Sequence, residues 1–317
     1  MSGVSRVGIV GAGYMAKRHV AALLALGMEV GVYSRSARHP GVLSGLPRYQ
    51  TYDDLLDAVG LVVVATPTPS HRELVERAAS AGVHVMCEKP LSLGSADAAA
   101  SALACERAGV RLFPAHVVRH MQPYAAARAA ARVGEIGTVR MTRLSRTGGP
   151  PTWATWFADP AVSGGVQTDL MIHDLDVARW IAGEVVAVDA AAPSGASTSC
   201  AALLRHASGA VSCVTASWEH VERPFSTAWE VVGAEGVLDE RWWTQHQPAT
   251  PPGDAHAIQM ADVLDAIATG RAAVTEAADG VAAVALAEAV RESVRTGRTV
   301  RPRSMVRADT PDRQQYS

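Results

Sequence analysis

Three side chains in this sequence have the type and spacing for proton transfer. Lys89 stands in the run Glu88-Lys89-Pro90, and Asp169 and His173 lie four residues apart just after Gly164-Gly165. An imidazole exchanges a proton near neutral pH, and a nearby carboxylate can orient it and stabilise its charged form. Leu170, Ile172, Leu175 and Val177 supply the apolar positions of a helix over residues 169–180, which would put Asp169 and His173 on one face. Lys89 could polarise a substrate oxygen, relay its proton, or act as the base itself if burial and nearby positive charge lower its pKa. Each residue also has an ordinary reading. An Asp and a His one turn apart also occur as a surface pair or as two metal ligands, and a lysine before proline is commonly solvated. No third ligand has matching spacing, because His116 and His120 fall in a segment without clear helical periodicity, so no metal is expected.

A second constellation opens the chain. The apolar run Val7 to Val10 leads into Gly11-Ala12-Gly13-Tyr14-Met15-Ala16, the G-x-G-x-x-G/A pattern with alanine in third place. Gly11 permits a tight turn, Gly13 lets the backbone approach a pyrophosphate, and Ala16 allows the following helix to pack on the strand. The amino terminus of that helix offers free N–H groups to phosphates. Such a turn alone is weak evidence, but a strand before it, a helix after it and a second strand beyond are the context that dinucleotide binding requires. That second strand ends in Tyr33-Ser34-Arg35-Ser36, with no carboxylate for ribose hydroxyls. A hydroxyl followed by a guanidinium suits a 2′-phosphate, so NADP(H) is preferred and NAD(H) stays open. Arg35 would otherwise be a solvated loop residue or stack on adenine.

These groups need a scaffold that gathers them. From Arg6 to Pro114, the runs Val7 to Val10, Val30 to Tyr33, Leu61 to Ala65, Val83 to Cys87 and Arg111 to Phe113 alternate with helical stretches beginning near Tyr14, Tyr52, Ser70 and Ser95. This is the rhythm of a parallel sheet, and Gly11, Arg35, Thr66 and Lys89 would share its carboxyl edge. Ser70 and Glu73 are spaced for a capping box. After His116 the rhythm changes. A helix follows Pro123, an irregular stretch runs from Thr147 to Gly165, and alternating segments near Val139, Val185, Cys200, Val211 and Ala228 read as a further sheet. Helices over 257–268 and 279–296 precede a charged tail.

The expected class is therefore α/β, with a Rossmann doubly wound parallel sheet over residues 1–118. A C-terminal α/β domain with an open, largely antiparallel sheet follows over 119–303, and the tail over 304–317 is expected to be mobile. Two domains suit 317 residues of which 48% are hydrophobic. The 29 Lys and Arg against 31 Asp and Glu leave no field to attract a polyanion. Nucleic acid and membrane are not expected partners. Four cysteines without a C-x-x-C pair, together with no leader pattern, suit the cytoplasm.

With Thr66-Pro67, Glu88-Lys89-Pro90, and Gly164-Gly165 followed by Asp169 and His173, the chain resembles the glucose-fructose oxidoreductase and inositol dehydrogenase (Gfo/Idh/MocA) family over nearly its whole length. The resemblance implies an NAD(P)-dependent oxidoreductase that interconverts an alcohol and a carbonyl on a sugar, cyclitol or related polyhydroxylated small molecule; with Arg35 read as above, NADPH-dependent reduction is slightly favoured. It implies Lys89, Asp169 and His173 as catalytic positions. Cofactor contacts are expected from Gly11, Gly13, Tyr14, Met15, Ser34, Arg35, Thr66, Pro67, His71, Glu88 and Lys89. Arg119 and His120 fall where the family lines its substrate or nicotinamide pocket. Trp153 and Trp156 could wall a sugar site beside Asp169 and His173, core packing being the alternative. A homodimer or homotetramer is expected by the same analogy. Other readings are an NAD-dependent inositol-type dehydrogenase, glycoside cleavage by retained NAD, and a dinucleotide-binding sensor or structural subunit without turnover.

Overall fold

Leu61, Val62, Val63 and Val64 are all fully buried, as a strand covered on both faces must be. They form the middle of a parallel sheet. The computed structural model describes residues 4–35, 41–152, 155–194, 198–219, 222, 224–248 and 253–303; Ser36, Trp153 and the tail over 304–317 lie outside them. The first domain runs β1 (Arg6–Val10), α1 (Tyr14–Ala25), β2 (Glu29–Tyr33), α2 (Tyr52–Leu56), β3 (Leu61–Val64), α3 (His71–Ser80), β4 (His84–Cys87), α4 (Ser95–Arg107) and β5 (Leu112–Pro114). Its strands are parallel in the order β2-β1-β3-β4-β5. The chain leaves β1 toward one side and returns on the other, so a crevice opens at the carboxyl ends of β1 and β3.

The second part contains α5 (Gln122–Arg132), β6 (Val139–Thr147), α6 (Pro160–Ser163), α7 (Gly165–Asp169), α8 (Ile172–Ala182), β7 (Val185–Ala191), β8 (Ser199–His206), β9 (Val211–Ser217), β10 (Ser226–Gly233), β11 (Val237–Asp239), α9 (Glu240–His246), α10 (Ala255–Thr269) and α11 (Ala277–Thr296). Six strands lie in the order β11-β10-β6-β9-β8-β7. Only β6 and β9 run parallel; the other neighbours are antiparallel. Leu144, Leu204, Val214 and Val231 point into the core, while the alternate positions Arg143, Ala201, Leu203, Cys213 and Thr215 face outward and are less covered.

Three expectations need correction. The helix expected over 169–180 is broken: α7 ends at Asp169 and α8 begins at Ile172. Leu170 and Met171 both donate to Val166 O, and this turn takes the two apolar side chains into the core. The Ser70–Glu73 capping box does not form, because Ser70 Oγ is engaged by Thr66 Oγ1 and Pro67 O. A reciprocal box caps α2 instead, between Thr51 and Asp54.

The third correction concerns the domain boundary. Met260, Val263, Ala266 and Ile267 of α10 share a core with Val7, Ile9, Val20 and Val32 of the first domain. The 20-residue helix α11 belongs to both halves: Val281 and Val284 pack with the first sheet, Leu286 and Val290 with the second. A cut at residue 118 follows the chain but not the cores. Among the described residues, no helix is long and apolar enough to cross a membrane.

Candidate active site

The turn after β1 has the geometry its glycines suggest. Gly11 adopts φ +116°, and a Cβ there would stand 2.4 Å from Ala65 O, so no other residue fits. A Cβ on Gly13 would meet nothing within 4 Å, which leaves the mouth of α1 open. That helix starts without a side-chain cap or an acidic residue in its first turn, and Ala16 is fully buried behind it. The residues present therefore fit a pyrophosphate, with backbone N–H groups and the helix dipole as its ligands.

A cleft of about 490 Å³ runs from this turn. Gly11, Gly13, Tyr14, Met15, Ser34, Arg35, Thr66, Pro67, Glu88, Lys89, Trp156 and Asp169 all line it. So do Tyr33, Arg77 and Phe157, which the sequence did not single out as site residues. Phe157 stacks on Trp156 with ring centroids 3.8 Å apart, in a single turn over Thr155–Ala158. Arg77 approaches because α3 runs beside the cleft, a relationship no local motif encodes.

At the far end of the cleft Lys89 Nζ donates to Asp169 Oδ1 at 2.9 Å and to Asp169 O at 2.7 Å. The strand β4 delivers the lysine and the end of α7 delivers the aspartate. The expected partnership of Asp169 with His173 is replaced by this one, because the break after Asp169 turns the two side chains out of register. His173 Nδ1 is buried without a hydrogen-bond partner among the described residues. Burial, reinforced by the positive charges of Lys89 and Arg146, drives the His173 pKa well below its ordinary value. The imidazole is thus neutral and stands near Lys89.

Glu88 is almost fully buried. Burial pushes its carboxyl upward, but a 2.6 Å hydrogen bond from His19 Nε2, helped by the nearby charge of Lys89, outweighs it and holds the pKa below the usual range. His19 comes from α1 and was not anticipated; its position three residues after Ala16 is the signal that points to it.

Three expected contacts lie elsewhere. His71 sits behind the cleft wall, its ring nitrogens 2.8 Å from Thr66 O and 2.9 Å from Pro90 O, so it braces the loops after β3 and β4 and does not line the pocket. Arg119 is 3% exposed and makes two bonds to Asp176, at 2.6 and 2.8 Å, and one to Val274 O at 3.0 Å. Its Nη1 also lies 3.2 Å from Asp279. His120 is buried against Asp262 at 3.4 Å. Both serve the interior, because the turn over Val117–His120 packs beneath α10 and faces away from the cleft. Among the described residues no three His, Cys, Asp or Glu side chains converge as metal ligands would.

Comparison with known proteins agrees with this geometry. Residues 5–116 match the model of the oxidoreductase family with an NAD-binding Rossmann fold, and residues 124–239 match the GFO/IDH/MocA C-terminal domain. The chain is 34% identical to the D-apiose dehydrogenase of Paraburkholderia graminis, across 94% of this chain and 89% of that protein. It is 26% identical to the inositol 2-dehydrogenase of Rhizobium meliloti, across 93% and 98% respectively. The crystal structure of GenD2 from gentamicin A biosynthesis, in complex with NAD, superposes with a TM-score of 0.83 at 27% identity, covering 96% of this chain and 98% of that one. With its dinucleotide cleft and its Lys89–Asp169 pair, the chain belongs to the GFO/IDH/MocA family and is an NAD(P)-dependent oxidoreductase.

Proposed function

We propose that this enzyme interconverts a secondary alcohol and a carbonyl on a sugar, cyclitol or related polyhydroxylated molecule, with NADP(H) preferred over NAD(H). The observation that carries the reading is the Lys89–Asp169 pair at one end of a cleft whose other wall is the phosphate-binding turn. The polyol class is supported by the relatives' substrates, D-apiose and inositol, and by the Trp156–Phe157 stack, whose faces suit the apolar faces of a sugar ring.

When bound, the nicotinamide supplies hydride transfer to or from the substrate carbon. The chain's residues handle the oxygen and its proton. Lys89, held by Asp169, donates a hydrogen bond to the substrate oxygen; neutral His173 takes the hydroxyl proton when the alcohol is oxidised, and in reduction the imidazolium, formed by taking a proton from solvent, gives it to the new alkoxide oxygen. Direction follows from the ratio of substrates, with reduction by NADPH as the preferred assay direction. The cofactor preference rests on Arg35, which is exposed and lines the cleft next to Ser34, with no carboxylate adjacent to it in the sequence.

A homodimer or homotetramer is part of this reading. Met141, Val211, Leu203 and Cys213 lie on the less covered face of the six-stranded sheet and give a second copy an apolar contact. We also assign the enzyme to the cytoplasm, on cysteines that form no pairing framework.

The test is to titrate the purified protein with NADPH and NADH, then follow nicotinamide absorbance over a panel of ketosugars, ketocyclitols and polyols. Tight NADPH binding and turnover that disappears in Lys89→Ala is the expected result. Binding without turnover on any compound would replace this reading with a dinucleotide sensor, and binding of neither cofactor would overturn it.

A further inference from the structure

We propose that His19 and Glu88 form a buried positioning pair that biases the nicotinamide site toward the oxidised, cationic ring. The proposal rests on the dinucleotide-binding reading given above. Along the carboxyl edge of the sheet, Arg35 follows β2, the glycine turn follows β1, and Glu88 and Lys89 follow β4. A dinucleotide with its pyrophosphate on the turn and its adenosine end at Arg35 therefore presents its nicotinamide end to Glu88 and Lys89.

The charge balance at that end is unequal. Lys89 is paired with Asp169 at 2.9 Å, so those two charges largely cancel. Glu88 lines the cleft as well. Its Oε1 accepts from His19 Nε2 at 2.6 Å and its Oε2 accepts from the Lys89 backbone N–H at 3.2 Å. His19 is completely buried, and its Nδ1 has no hydrogen-bond partner among the described residues. A cationic imidazole would carry a charged N–H at that position with no acceptor, whereas the tautomer with its hydrogen on Nε2 leaves only an unpaired lone pair there, the smaller cost. The pair then keeps the net charge of the carboxylate.

The edge of the His256 ring, 5.8 Å away, closes the other side of His19, with Arg18 beside it. A fixed negative charge in a wall of low polarisability attracts the oxidised ring, which carries a positive charge, and is indifferent to the neutral reduced ring. His19 is thus the donor that keeps Glu88 ionised and aimed. Without that donor, burial favours the neutral acid and the bias fades.

The experiment measures dissociation constants of NADP+ and NADPH, and of NAD+ and NADH, by calorimetry and nicotinamide fluorescence. The proteins are the wild type, Glu88→Gln, His19→Leu and His19→Gln. Glu88→Gln is expected to weaken the oxidised form about tenfold relative to the reduced form, the scale of one unit charge acting across a few ångströms of protein. His19→Leu shifts the ratio the same way. His19→Gln restores it, since its amide can donate to the same carboxylate oxygen. Equal losses for both redox forms, or an unchanged ratio in Glu88→Gln, would overturn the proposal. If Glu88→Gln fails to fold, a ratio in His19→Leu equal to wild type overturns it instead. Failure of the wild type to bind any of the four nucleotides would count against dinucleotide binding itself, a distinguishable outcome.

Discussion

Asp169 holds Lys89 twice, through its side-chain Oδ1 at 2.9 Å and through its own backbone carbonyl at 2.7 Å. Two acceptors on one residue fix the ammonium in direction as well as in place. Lys89→Ala removes the donor to the substrate oxygen, and kcat is expected to fall by about 10²-fold or more. Asp169→Asn keeps the carbonyl bond and should retain more activity than Lys89→Ala. Steady-state kinetics on both variants checks the order; the reverse order would mean that the charge of Asp169 matters more than the position of Lys89.

Arg291 of α11 ties together the two segments that bring this pair into contact. Its guanidinium donates to Thr168 Oγ1 at 3.0 Å, one residue before Asp169, and to Leu93 O at 2.6 Å, four residues after Lys89. Arg291→Met should lower kcat by about tenfold or more, because small displacements of aligned groups are costly. NADPH affinity should stay near wild type, since Arg291 does not line the cleft. A parallel loss of NADPH binding in a fluorescence titration would show that the tether supports the whole domain and not the pair.

Arg35 is the residue on which cofactor choice turns. Arg35→Ser should reduce NADPH affinity by about tenfold while leaving NADH affinity nearly unchanged, as removal of a charge-assisted bond to a 2′-phosphate would. Equal losses for both nucleotides would mean that the guanidinium stacks on adenine.

The buried histidines predict how stability depends on pH. Burial lowers the pKa of His71, His116 and His173 below the ordinary imidazole value of about 6.5. The unfolded chain therefore binds protons more readily than the folded one around and below pH 6.5. The stability these groups contribute is full above that value and is lost as pH falls beneath it. Tm measured at pH 7.5, 6.5 and 5.5 should decline most steeply over the last interval. The depressed carboxyls Glu88, Asp262 and Asp279 extend the same trend to lower pH. A Tm that is flat across these three points would contradict the assignment.

Arg119 predicts a stability effect of a different kind. Its guanidinium and Asp176 are both nearly inaccessible, so Arg119→Ala strands a buried carboxylate and should cost about 3–5 kcal/mol. Urea denaturation measures this directly. A near-neutral result would mean that water reaches Asp176 once the guanidinium is gone.

The first sheet was legible in the sequence because its signals are local. Every strand from β1 to β5 falls within a residue or two of an apolar run, and Gly11 shows why the turn could be read: the contact with Ala65 O admits nothing larger. Ser70 misled because its backbone is already helical, with φ −92° and ψ −6°, and not extended as an N-cap requires, while its hydroxyl donates to Pro67 O. The break at Leu170 could not be read, since the same apolar spacing serves one helix or two. Arg119 and His120 were misplaced for a related reason: which way a short turn faces is decided by α10, more than 130 residues later in the chain. Arg77 and Arg291 act at a distance along the sequence and leave no mark in it beyond their own identity.

The return of α10 and α11 to the first sheet governs how the protein can come into being. Val7, Ile9 and Val32 reach their final surroundings only when Met260 and Ile267 arrive, and Val62 and Val64 only when Val281 and Val284 do. A ribosome that has released the first 118 residues has delivered every strand of the dinucleotide-binding sheet but not the helices that close two of its flanks. The nucleotide cleft is consequently a property of the chain through α11, and the amino-terminal segment is not a module that could be lifted into another protein with its core intact.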